Sequence, residues 1–249
     1  MTETKGIILA GGRGSRLSPL TDITNKFLMP VYDKLMIEYS VLSLAQAGIK
    51  EIAIILGTKS AGETMDYLKS GAKYGVKFTY LYQDTPTGVP HAILQAEQFA
   101  GDDNIVVLCA DNIIYDDITP HVKNFVGGAC ISVKQFEDVE QLKRFAVLQF
   151  ESNFISKLVE KPENPPSEFA FCGIQIYDNR VWEYIYDLEK SDRGEYEIVD
   201  VINRYIDEDE LYFVKLEKPW FDCGNKDALF EAQQFAYLHS ISGGRFFWL

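Results

Sequence analysis

Apolar residues in the first half of the chain form short strand-like runs that alternate with longer helix-like segments. The predicted strands span residues 6–10, 51–56, 77–81 and 104–109, and the predicted helices span 36–47, 61–70 and 90–99. In the first helix, Ile37, Val41 and Leu44 fall on one face, and Gly48 follows as a stop signal. This alternation predicts an α/β fold, a Rossmann-like doubly wound sheet that is mostly parallel and covered by helices on both faces.

The pattern changes in the second half, where strands follow one another with little helix between them. The predicted strands span 129–133, 146–150, 155–160 and 169–177, and Ser152-Asn153 is a tight-turn pair between two of them. Helical patterns return at 180–188, 198–206 and 226–238. We therefore expect one domain over residues 1–239, whose mixed sheet carries an inserted β-rich subregion. An apolar tail, residues 240–249, would follow and dock on the chain's own core or on another subunit.

Composition and charge narrow the range of partners. The chain has 249 residues, 47% of them apolar, and a formal net charge of −13, which disfavours nucleic acid as a partner because proteins that coat it need a basic face. No apolar stretch approaches the length of a membrane span, and the N-terminal apolar run is too short for a signal peptide, so we expect a cytoplasmic protein. The four cysteines show no C-x-x-C pairing, which indicates reduced thiols rather than disulfides or a zinc site.

The strongest chemical signal is the glycine-rich segment L-A-G-G-R-G-S-R-L at residues 9–17, directly after the first predicted strand. Glycines at the carboxyl end of a parallel strand let backbone amides approach a phosphate chain. The segment lacks the G-K-[ST] ending of a P-loop, and Arg16 stands where a dinucleotide-binding G-x-G-x-x-G pattern needs glycine. The segment therefore predicts a phosphate site with Arg16 as a cationic ligand, and it disfavours a dinucleotide oxidoreductase.

Two downstream segments carry a family resemblance. Lys26 precedes the apolar run F-L-M-P-V, and residues 33–39 are D-K-L-M-I-E-Y. Together with the glycine-rich segment, they resemble the signature of the nucleotide-sugar pyrophosphorylases, a family of sugar-phosphate nucleotidyltransferases. That signature is G-G-x-G-[ST]-R-L, then a Lys and L-x-P, then D-K-P-M-I-x-Y, with Leu35 here in the place of proline. The resemblance covers nearly the whole chain and is closest to the glucose-1-phosphate thymidylyltransferase branch.

The resemblance implies which residues bind the nucleotide. Arg16 and Lys26 would be the catalytic cations, and the pattern Q-x-x-P-x-G at 83–88 would use Gln83 and Gly88 to recognise a pyrimidine. A glutamine amide offers a donor and an acceptor to the imide edge of thymine or uracil. His91 could contact the base or the ribose, or serve only the start of a helix. The other implied nucleotide ligands lie in the glycine-rich segment: Leu9, Gly11, Gly12, Gly14 and Ser15.

The resemblance also implies a cation site. Asp111 follows the strand 104–109 in an A-D-N segment that resembles the family's G-D-N, and Asp222 lies in W-F-D-C-G, which resembles L-D-T-G. A carboxylate at the carboxyl end of a central parallel strand is well placed to hold Mg²⁺ beside phosphates. Asp111 and Asp222 would share one Mg²⁺, which requires the fold to bring them together.

The implied sugar-phosphate site draws on the second half of the chain. Residues 160–162 match E-K-P, in which the glutamate binds sugar hydroxyls and the lysine binds the sugar phosphate, and residues 193–200 match R-G-E-x-E-I-x-D. Residues 145–147 are F-A-V in the place of the family's Y-G-V, and Phe27 stands where a Gln is usual. The implied ligands of the sugar phosphate are Asn112, Phe145, Ala146, Glu160, Lys161, Gly173 and Arg193.

The residues and the resemblance together predict a nucleotidyltransferase. It would join a pyrimidine nucleoside triphosphate, with dTTP favoured, to a sugar 1-phosphate, with glucose 1-phosphate favoured, and release pyrophosphate. Residues 1–127 would serve mainly the nucleotide and residues 128–239 mainly the sugar, in a homo-oligomer (dimer or tetramer) that binds neither nucleic acid nor membrane. The alternatives are a pyrophosphorylase that uses UTP, CTP or a different sugar, and a non-catalytic sensor that binds a nucleotide or a sugar phosphate.

Overall fold

The apolar runs predicted as strands form the centre of a mixed sheet. The computed structural model describes residues 3–241 of the chain. Within them the strands are β1 (Thr4–Ala10), β2 (Pro30–Val31), β3 (Lys34–Leu35), β4 (Glu51–Leu56), β5 (Lys77–Tyr82), β6 (Asn104–Cys109), β7 (Asn112–Ile114), β8 (Ala129–Gln135), β9 (Ala146–Glu151), β10 (Phe154–Glu160), β11 (Phe169–Tyr177), β12 (Leu211–Lys215) and β13 (Trp220–Asp222).

Helices connect these strands and cover both faces of the sheet. They are α1 (Met36–Gln46), α2 (Ala61–Leu68), α3 (Val89–Leu94), α4 (Glu97–Ala100), α5 (Thr119–Lys123), α6 (Val139–Leu142), α7 (Val181–Tyr186), α8 (Ile198–Asp207) and α9 (Lys226–Ile241). Short 3-10 turns lie at Ser15–Leu17, Lys26–Leu28 and Ala72–Tyr74.

The main sheet has nine strands, with a path in the order β10-β9-β11-β6-β1-β4-β5, while β8 pairs with β11 and β12 pairs with β8. The strands β6, β1, β4 and β5 are parallel, whereas β11 runs antiparallel to β6 and joins the strands of the second half to the sheet. The predicted doubly wound α/β fold, with a mixed sheet and a β-rich second half, is confirmed. The strand order places β4 on one side of β1 and β6 on the other.

Strand β1 lies between two apolar layers. Ile7 and Ile8 are both fully buried. Because successive side chains of a strand point to opposite faces, Ile8 packs in the layer that contains Leu44 of α1, whereas Ile7 packs in the layer that contains Ile93 of α3 and Tyr205 of α8. Burial on both faces explains why the parallel strands are continuous apolar runs rather than alternating ones.

The predicted helix over 90–99 is divided in the structure, which corrects the sequence-based boundaries. Helix α3 ends at Leu94 and α4 begins at Glu97, because the N–H groups of Gln95 and Ala96 bond to carbonyls three residues back. The predicted tight turn at 152–153 is confirmed: both residues have positive φ, 50° and 73°, and they join the antiparallel strands β9 and β10. The strands β2, β3, β7, β12 and β13 and the short helices α5 and α6 lie outside the predicted elements.

Some expectations concern ligands, location or assembly and stay predictions. They are the division into a nucleotide half and a sugar half, the dimer or tetramer, and the cytoplasmic location. Of the predicted apolar tail, residues 242–249 lie outside the described residues. Among the helices within residues 3–241, none combines the length and the apolar character that a membrane span requires. Cys109, Cys130, Cys172 and Cys223 are free thiols.

A buried carboxylate ties helix α1 to the segment around α2. Glu38 is 8% exposed, and its carboxylate accepts hydrogen bonds from the hydroxyls of Tyr67 and Tyr74 and from the N–H of Leu35. Burial would raise the pKa of Glu38, but these hydrogen bonds and the charge of Lys73 together hold the pKa below its usual range. The folded state therefore favours the charged carboxylate.

We expect Glu38→Ala to lower the free energy of unfolding at neutral pH by about 2–4 kcal/mol, because two tyrosine hydroxyls and the backbone N–H of Leu35 lose their acceptor. Since the pKa of Glu38 is lower in the folded than in the unfolded state, its contribution is present above the unfolded pKa and is lost as pH falls through the folded pKa. Urea unfolding from neutral to acid pH measures both effects. Glu51→Ala, which breaks an exposed pair with Lys77, is the control and should cost less than about 1 kcal/mol; equal losses would contradict the role of Glu38.

Candidate active site

The carboxyl ends of β1 and β6 place the glycine-rich segment beside Asp111. The two strands are parallel and stay in register up to the pairing of Leu9 with Cys109, after which the N–H of Ala110 donates to the carbonyl of Leu9. Because β1 has β4 on its other side, this is the switch point of the sheet, where open α/β folds form a crevice for ligands. The residues predicted for phosphates and for a cation therefore meet at one crevice.

The glycine-rich segment packs on Lys26. A Cβ added at Gly12 would lie 3.6 Å from the Lys26 Nζ, and one at Gly14 would lie 3.1 Å from the Lys26 Cβ. Gly14 has φ of 68°, a left-handed conformation that glycine adopts without strain. The 3-10 turn Ser15–Leu17 follows, and the side chain of Arg16 is exposed there. The loop therefore lies directly over the Lys26 ammonium.

Lys26 and Asp111 form a buried ion pair in the crevice. Lys26 is 8% exposed, and its Nζ lies 2.5 Å from Oδ2 of Asp111. Asn25 fixes the backbone here, because it accepts a hydrogen bond from the N–H of Phe27 and donates one to the carbonyl of Lys59. Burial would raise the pKa of Asp111, but the charge and hydrogen bond of Lys26 and the hydrogen bond from Asn112 together hold the pKa below its usual range. The crevice therefore contains a charged carboxylate paired with Lys26.

The pairing of β7 with β13 brings Asp222 to the same crevice. The strands are antiparallel, with Asp222 opposite Asn112, and the N–H of the residue after Asp222 donates to the carbonyl of Asp111. Burial raises the pKa of Asp222, and the negative charge of Asp111 adds to the increase. A Cβ added at Gly224 would lie 2.9 Å from a guanidinium nitrogen of Arg16. Arg16 therefore lies against the turn that carries Asp222.

Asp111 and Asp222 fit a hard divalent cation. Two neighbouring carboxylates, one of them paired with Lys26, offer the oxygen ligands that suit Mg²⁺. Within residues 3–241, no group of three or more His, Cys, Asp or Glu side chains is arranged to hold a metal ion. A cation bound by the two carboxylates would take its other ligands from water and from substrate phosphates, as is usual for Mg²⁺.

A cavity of 270 Å³ opens beside the Lys26–Asp111 pair. Gln83, which directly follows β5, is 4% exposed, and its N–H donates to the carbonyl of Leu56. The residues predicted for the nucleotide that line the cavity are Leu9, Gly11, Gly12, Gln83 and Gly88. The other lining residues include Phe27, Pro86, Val89, Ala92, Cys109 and Glu195. Apolar walls with a few polar groups are typical of a ligand pocket.

Gly88 makes a close backbone contact with the segment before α8. Its φ is 119°, and a Cβ added there would overlap the carbonyl oxygen of Tyr196. The N–H of Tyr196 also donates to the carbonyl of Thr87. Glycine alone allows this approach, because any side chain would displace one of the two backbones. The contact joins the nucleotide cavity to residues 193–200, which the resemblance assigns to the sugar.

Aromatic side chains and Asn112 form the opposite wall of the crevice. The indole N–H of Trp220 donates to Oδ1 of Asn112 at 2.7 Å, and Nδ2 of Asn112 donates to Oδ1 of Asp111 at 3.1 Å. Phe145 packs on Trp220, with ring centroids 5.1 Å apart. A Cβ added at Gly173 would lie 3.2 Å from Oδ1 of Asn112. The structure thus gathers three residues predicted for the sugar next to Asp111.

Glu160, Lys161 and Arg193 form an ion-pair cluster farther along this wall. Oε1 of Glu160 lies 2.9 Å from Nζ of Lys161 and 3.3 Å from a guanidinium nitrogen of Arg193. Arg193 also contacts Glu197 at 2.8 Å. The N–H of Lys161 donates to the carbonyl that precedes the buried Ala146. The side chains of Lys161 and Arg193 are 50% and 47% exposed, so both cations are accessible to a phosphate that arrives from solvent.

The structure adds residues that the sequence-based site leaves out. A Cβ added at Gly57, directly after β4, would overlap the carbonyl oxygen of Gly11. Glu195 lines the cavity beside the Lys26–Asp111 pair, and the indole N–H of Trp220 donates to Asn112. Gly57 could have been predicted from the sequence, because it directly follows a predicted parallel strand. The contacts of Glu195 and Trp220 depend on segments that are distant in the sequence.

Comparisons with known proteins agree with the segment resemblances. The family model described as "Nucleotidyl transferase" matches residues 5–238. A glucose-1-phosphate thymidylyltransferase of Neisseria meningitidis is 37% identical over 238 residues, which cover 93% of this chain and 82% of that protein. A low-salt glycan biosynthesis nucleotidyltransferase of Haloferax volcanii is 36% identical over 232 residues. The match covers 92% of this chain and 65% of the Haloferax protein, so the chain spans less than two thirds of that relative's length.

A solved structure has the same fold. The crystal structure of a candidate glucose-1-phosphate thymidylyltransferase from Bacillus anthracis, in complex with sucrose, matches with a TM-score of 0.88 at 40% identity. The match covers 94% of this chain and 95% of that chain. The likeness therefore extends over the first and the second half of the sheet.

We expect Gly88→Ala to lower the free energy of unfolding by about 2–4 kcal/mol, because it combines a positive φ with a clash against the Tyr196 carbonyl. Gly75→Ala is the matched control: Gly75 has φ of 72°, and the space around its Cβ position is open. The control should cost about 1 kcal/mol, the penalty for the backbone conformation alone. Urea unfolding of the two variants measures the difference, and equal losses would contradict the close contact.

Proposed function

The chain belongs to the nucleotidyl transferase family, whose model covers residues 5–238, and from this premise we propose that it joins dTTP to glucose 1-phosphate, giving dTDP-glucose and pyrophosphate. The names of the relatives from Neisseria meningitidis and Bacillus anthracis support this pair of substrates. One observation carries the proposal: the buried Lys26–Asp111 pair lies beside Asp222 and under the glycine-rich segment. Charge neutralisation is the main task when two phosphate compounds must meet.

The proposed reaction is an in-line displacement at phosphorus. An oxygen of the sugar 1-phosphate attacks the α-phosphorus of the triphosphate, and a new P–O bond forms. The bond between the α-phosphorus and the oxygen that bridges to the β-phosphorus breaks, and pyrophosphate leaves with its electron pair. Because a phosphate monoester is already ionised at neutral pH, the attack needs no general base. Catalysis then consists of alignment and electrostatic stabilisation.

Arg16 and Lys26 would neutralise the triphosphate. Backbone N–H groups of the glycine-rich segment, from Gly11 to Ser15, would bind its phosphate oxygens, because no side chain blocks the approach at the glycines. Lys26 holds its ammonium 3.6 Å from the Cβ position of Gly12, so a phosphate on the loop would lie near that charge. Arg16 would stabilise the charge that develops on pyrophosphate.

Asp111 and Asp222 would hold Mg²⁺, which when bound supplies positive charge to the phosphates of both reactants. Hydrogen bonds already orient the two carboxylates. Asn112 donates to Oδ1 of Asp111, and the N–H of Gly224 donates to Oδ1 of Asp222. The second carboxylate oxygen of Asp111 contacts Lys26, so Lys26 and the cation would share the negative charge of the pair.

The opposite wall would orient the sugar 1-phosphate. Lys161, helped by Arg193, would bind the phosphate, and Glu160 would accept hydrogen bonds from sugar hydroxyls. Both cations already meet at the Glu160 carboxylate, so an arriving phosphate would replace part of that ion pairing. The sugar ring would lie against the surfaces of Asn112, Phe145, Ala146 and Gly173. At the other end of the crevice, Gln83 and Gly88 would recognise the pyrimidine, with Leu9 beside the nucleoside.

A pyrophosphate-release matrix tests the proposal. Purified protein is assayed with dTTP, UTP, CTP, ATP and GTP against glucose 1-phosphate and other sugar 1-phosphates. We expect the fastest release with dTTP and glucose 1-phosphate, loss of release when EDTA removes divalent cations, and recovery with Mg²⁺. Fastest release with another base or sugar would identify a different pyrophosphorylase. Nucleotide binding in calorimetry without any release would identify a sensor and overturn the proposed reaction.

The two cations of the nucleotide side can be tested separately from the fold. We expect Arg16→Ala and Lys26→Met each to lower kcat by about 100-fold or more, because each removes a charge that is aimed at the reacting phosphates. Arg204→Ala is the control, since Arg204 is an exposed arginine of α8 outside the proposed site, and the kcat of this variant should stay near that of the wild type. Thermal unfolding shows whether each variant is folded. Near-wild-type rates for the first two variants would remove Arg16 and Lys26 from the mechanism.

A further inference from the structure

The side-chain amide of Gln83 has different partners on its two sides. A Cβ added at Gly11 would lie 3.2 Å from Oε1 of Gln83, so the amide oxygen lies on the side of the glycine-rich loop and the nucleotide cavity. Nε2 of Gln83 lies 2.9 Å from Nδ1 of His91. The amide nitrogen can only donate, so this contact is a hydrogen bond when the imidazole has its proton on Nε2 and Nδ1 accepts; with the proton on Nδ1, the amide oxygen would have to face the ring instead.

His91 is held in place from outside the nucleotide cavity. It lines a separate cavity of 120 Å³ with Tyr186 and Tyr196, and its ring stacks on Tyr196 with centroids 6.5 Å apart and an interplanar angle of 24°. Its carbonyl accepts a hydrogen bond from Nε2 of Gln95, and α3 begins directly after Gly88. The imidazole therefore lies between the Gln83 amide and the Tyr196 ring, whereas the Gln95 bond holds only the backbone of residue 91.

We propose that His91 is a positioning residue that sets base specificity by fixing which face of the Gln83 amide meets the nucleotide. The proposal rests on the proposed function only in assigning Gln83 to the base. A buried amide that can rotate freely would present either its oxygen or its nitrogen to the cavity. In the proposed tautomer, with the proton on Nε2, Nδ1 of His91 accepts only from the amide nitrogen, and the amide oxygen is left facing the glycine-rich loop. His91 therefore acts on the base through Gln83 without touching it.

The orientation that His91 imposes selects keto pyrimidines. With Nε2 turned to His91, Gln83 presents Oε1 as an acceptor and keeps one N–H free. Uracil and thymine have an N3–H donor next to the O4 acceptor, which match these two groups. Cytosine has an unprotonated N3 and an amino group in those positions, so it would place acceptor against acceptor and donor against donor. Mismatched buried polar groups are the strongest means of discrimination between similar ligands.

Calorimetric binding of UTP and CTP tests this inference independently of turnover. The two nucleotides share the ribose and the triphosphate and differ only in the base, so the ratio of Kd(CTP) to Kd(UTP) measures base recognition alone. We expect the wild type to bind UTP more tightly than CTP, so that the ratio of Kd(CTP) to Kd(UTP) exceeds one. His91→Leu should reduce this ratio by about tenfold, because the side-chain amide of Gln83 loses its acceptor and can rotate. His91→Asn, whose carboxamide oxygen can take the place of Nδ1, should recover part of the ratio.

Two further variants separate positioning from a structural effect. Gln95→Leu removes a hydrogen bond to the backbone carbonyl of His91 rather than to its ring and should leave the ratio of Kd(CTP) to Kd(UTP) unchanged. Gln83→Ala should lower the ratio by itself, and adding His91→Leu to Gln83→Ala should lower it no further, because the histidine acts through the amide. An unchanged ratio in His91→Leu, a loss in Gln95→Leu of the same size, or tighter binding of CTP by the wild type would each overturn the inference. If the proposed reaction does not occur, the pyrophosphate-release assay would show it, whereas the ratio of Kd values tests only the role of His91.

Discussion

Buried charge at the switch point of the sheet is the constraint on which the rest of the structure depends. Lys26 and Asp111 are withdrawn from water and paired directly, and Asp222 adds a second carboxylate beside them. A charge left without a partner in such a place costs several kcal/mol, so the chain around it must supply counter-charges and donors. The ends of β1 and β6, the loop that carries Lys26 and the β7–β13 pair all converge here. The net charge of −13 does not prevent anion binding, since the relevant field is local.

Close approach of backbones then gives the crevice its shape. Gly57 lies against the backbone of Gly11 at the ends of β4 and β1, and Gly88 lies against the carbonyl of Tyr196. At both places a side chain would force two backbones apart. Gly173 instead leaves room for the side chain of Asn112. These contacts join parts of the chain that carry different proposed ligands: the loop for phosphates, the loop for the base, and the strands for the sugar. One crevice can therefore serve two substrates that repel each other.

The hydrogen bonds around the crevice form two separate orienting systems. Asn112, held by Trp220, orients Asp111 at the phosphate end. His91, held by its stacking on Tyr196, orients Gln83 at the base end. In both cases an aromatic residue fixes a second polar side chain, and that side chain fixes the group proposed to meet the substrate. Residues that support a site in this way determine its geometry as much as the residues that line it.

The doubly wound first half was predictable from the amino-acid pattern, because strands buried on both faces must be continuous apolar runs and helices on a sheet must be amphipathic. The chemistry of the glycine-rich segment was predictable too, since local spacing dictates how backbone amides can meet a phosphate. Four features emerge only when the chain is folded: Asp222 lies beside Asp111, β7 pairs with β13, the helix over 90–99 divides, and His91 faces Gln83. Such contacts join residues far apart in the chain, or depend on how one turn packs against its neighbours. The register of distant strands and the rotation of a side chain leave no periodic trace in the sequence.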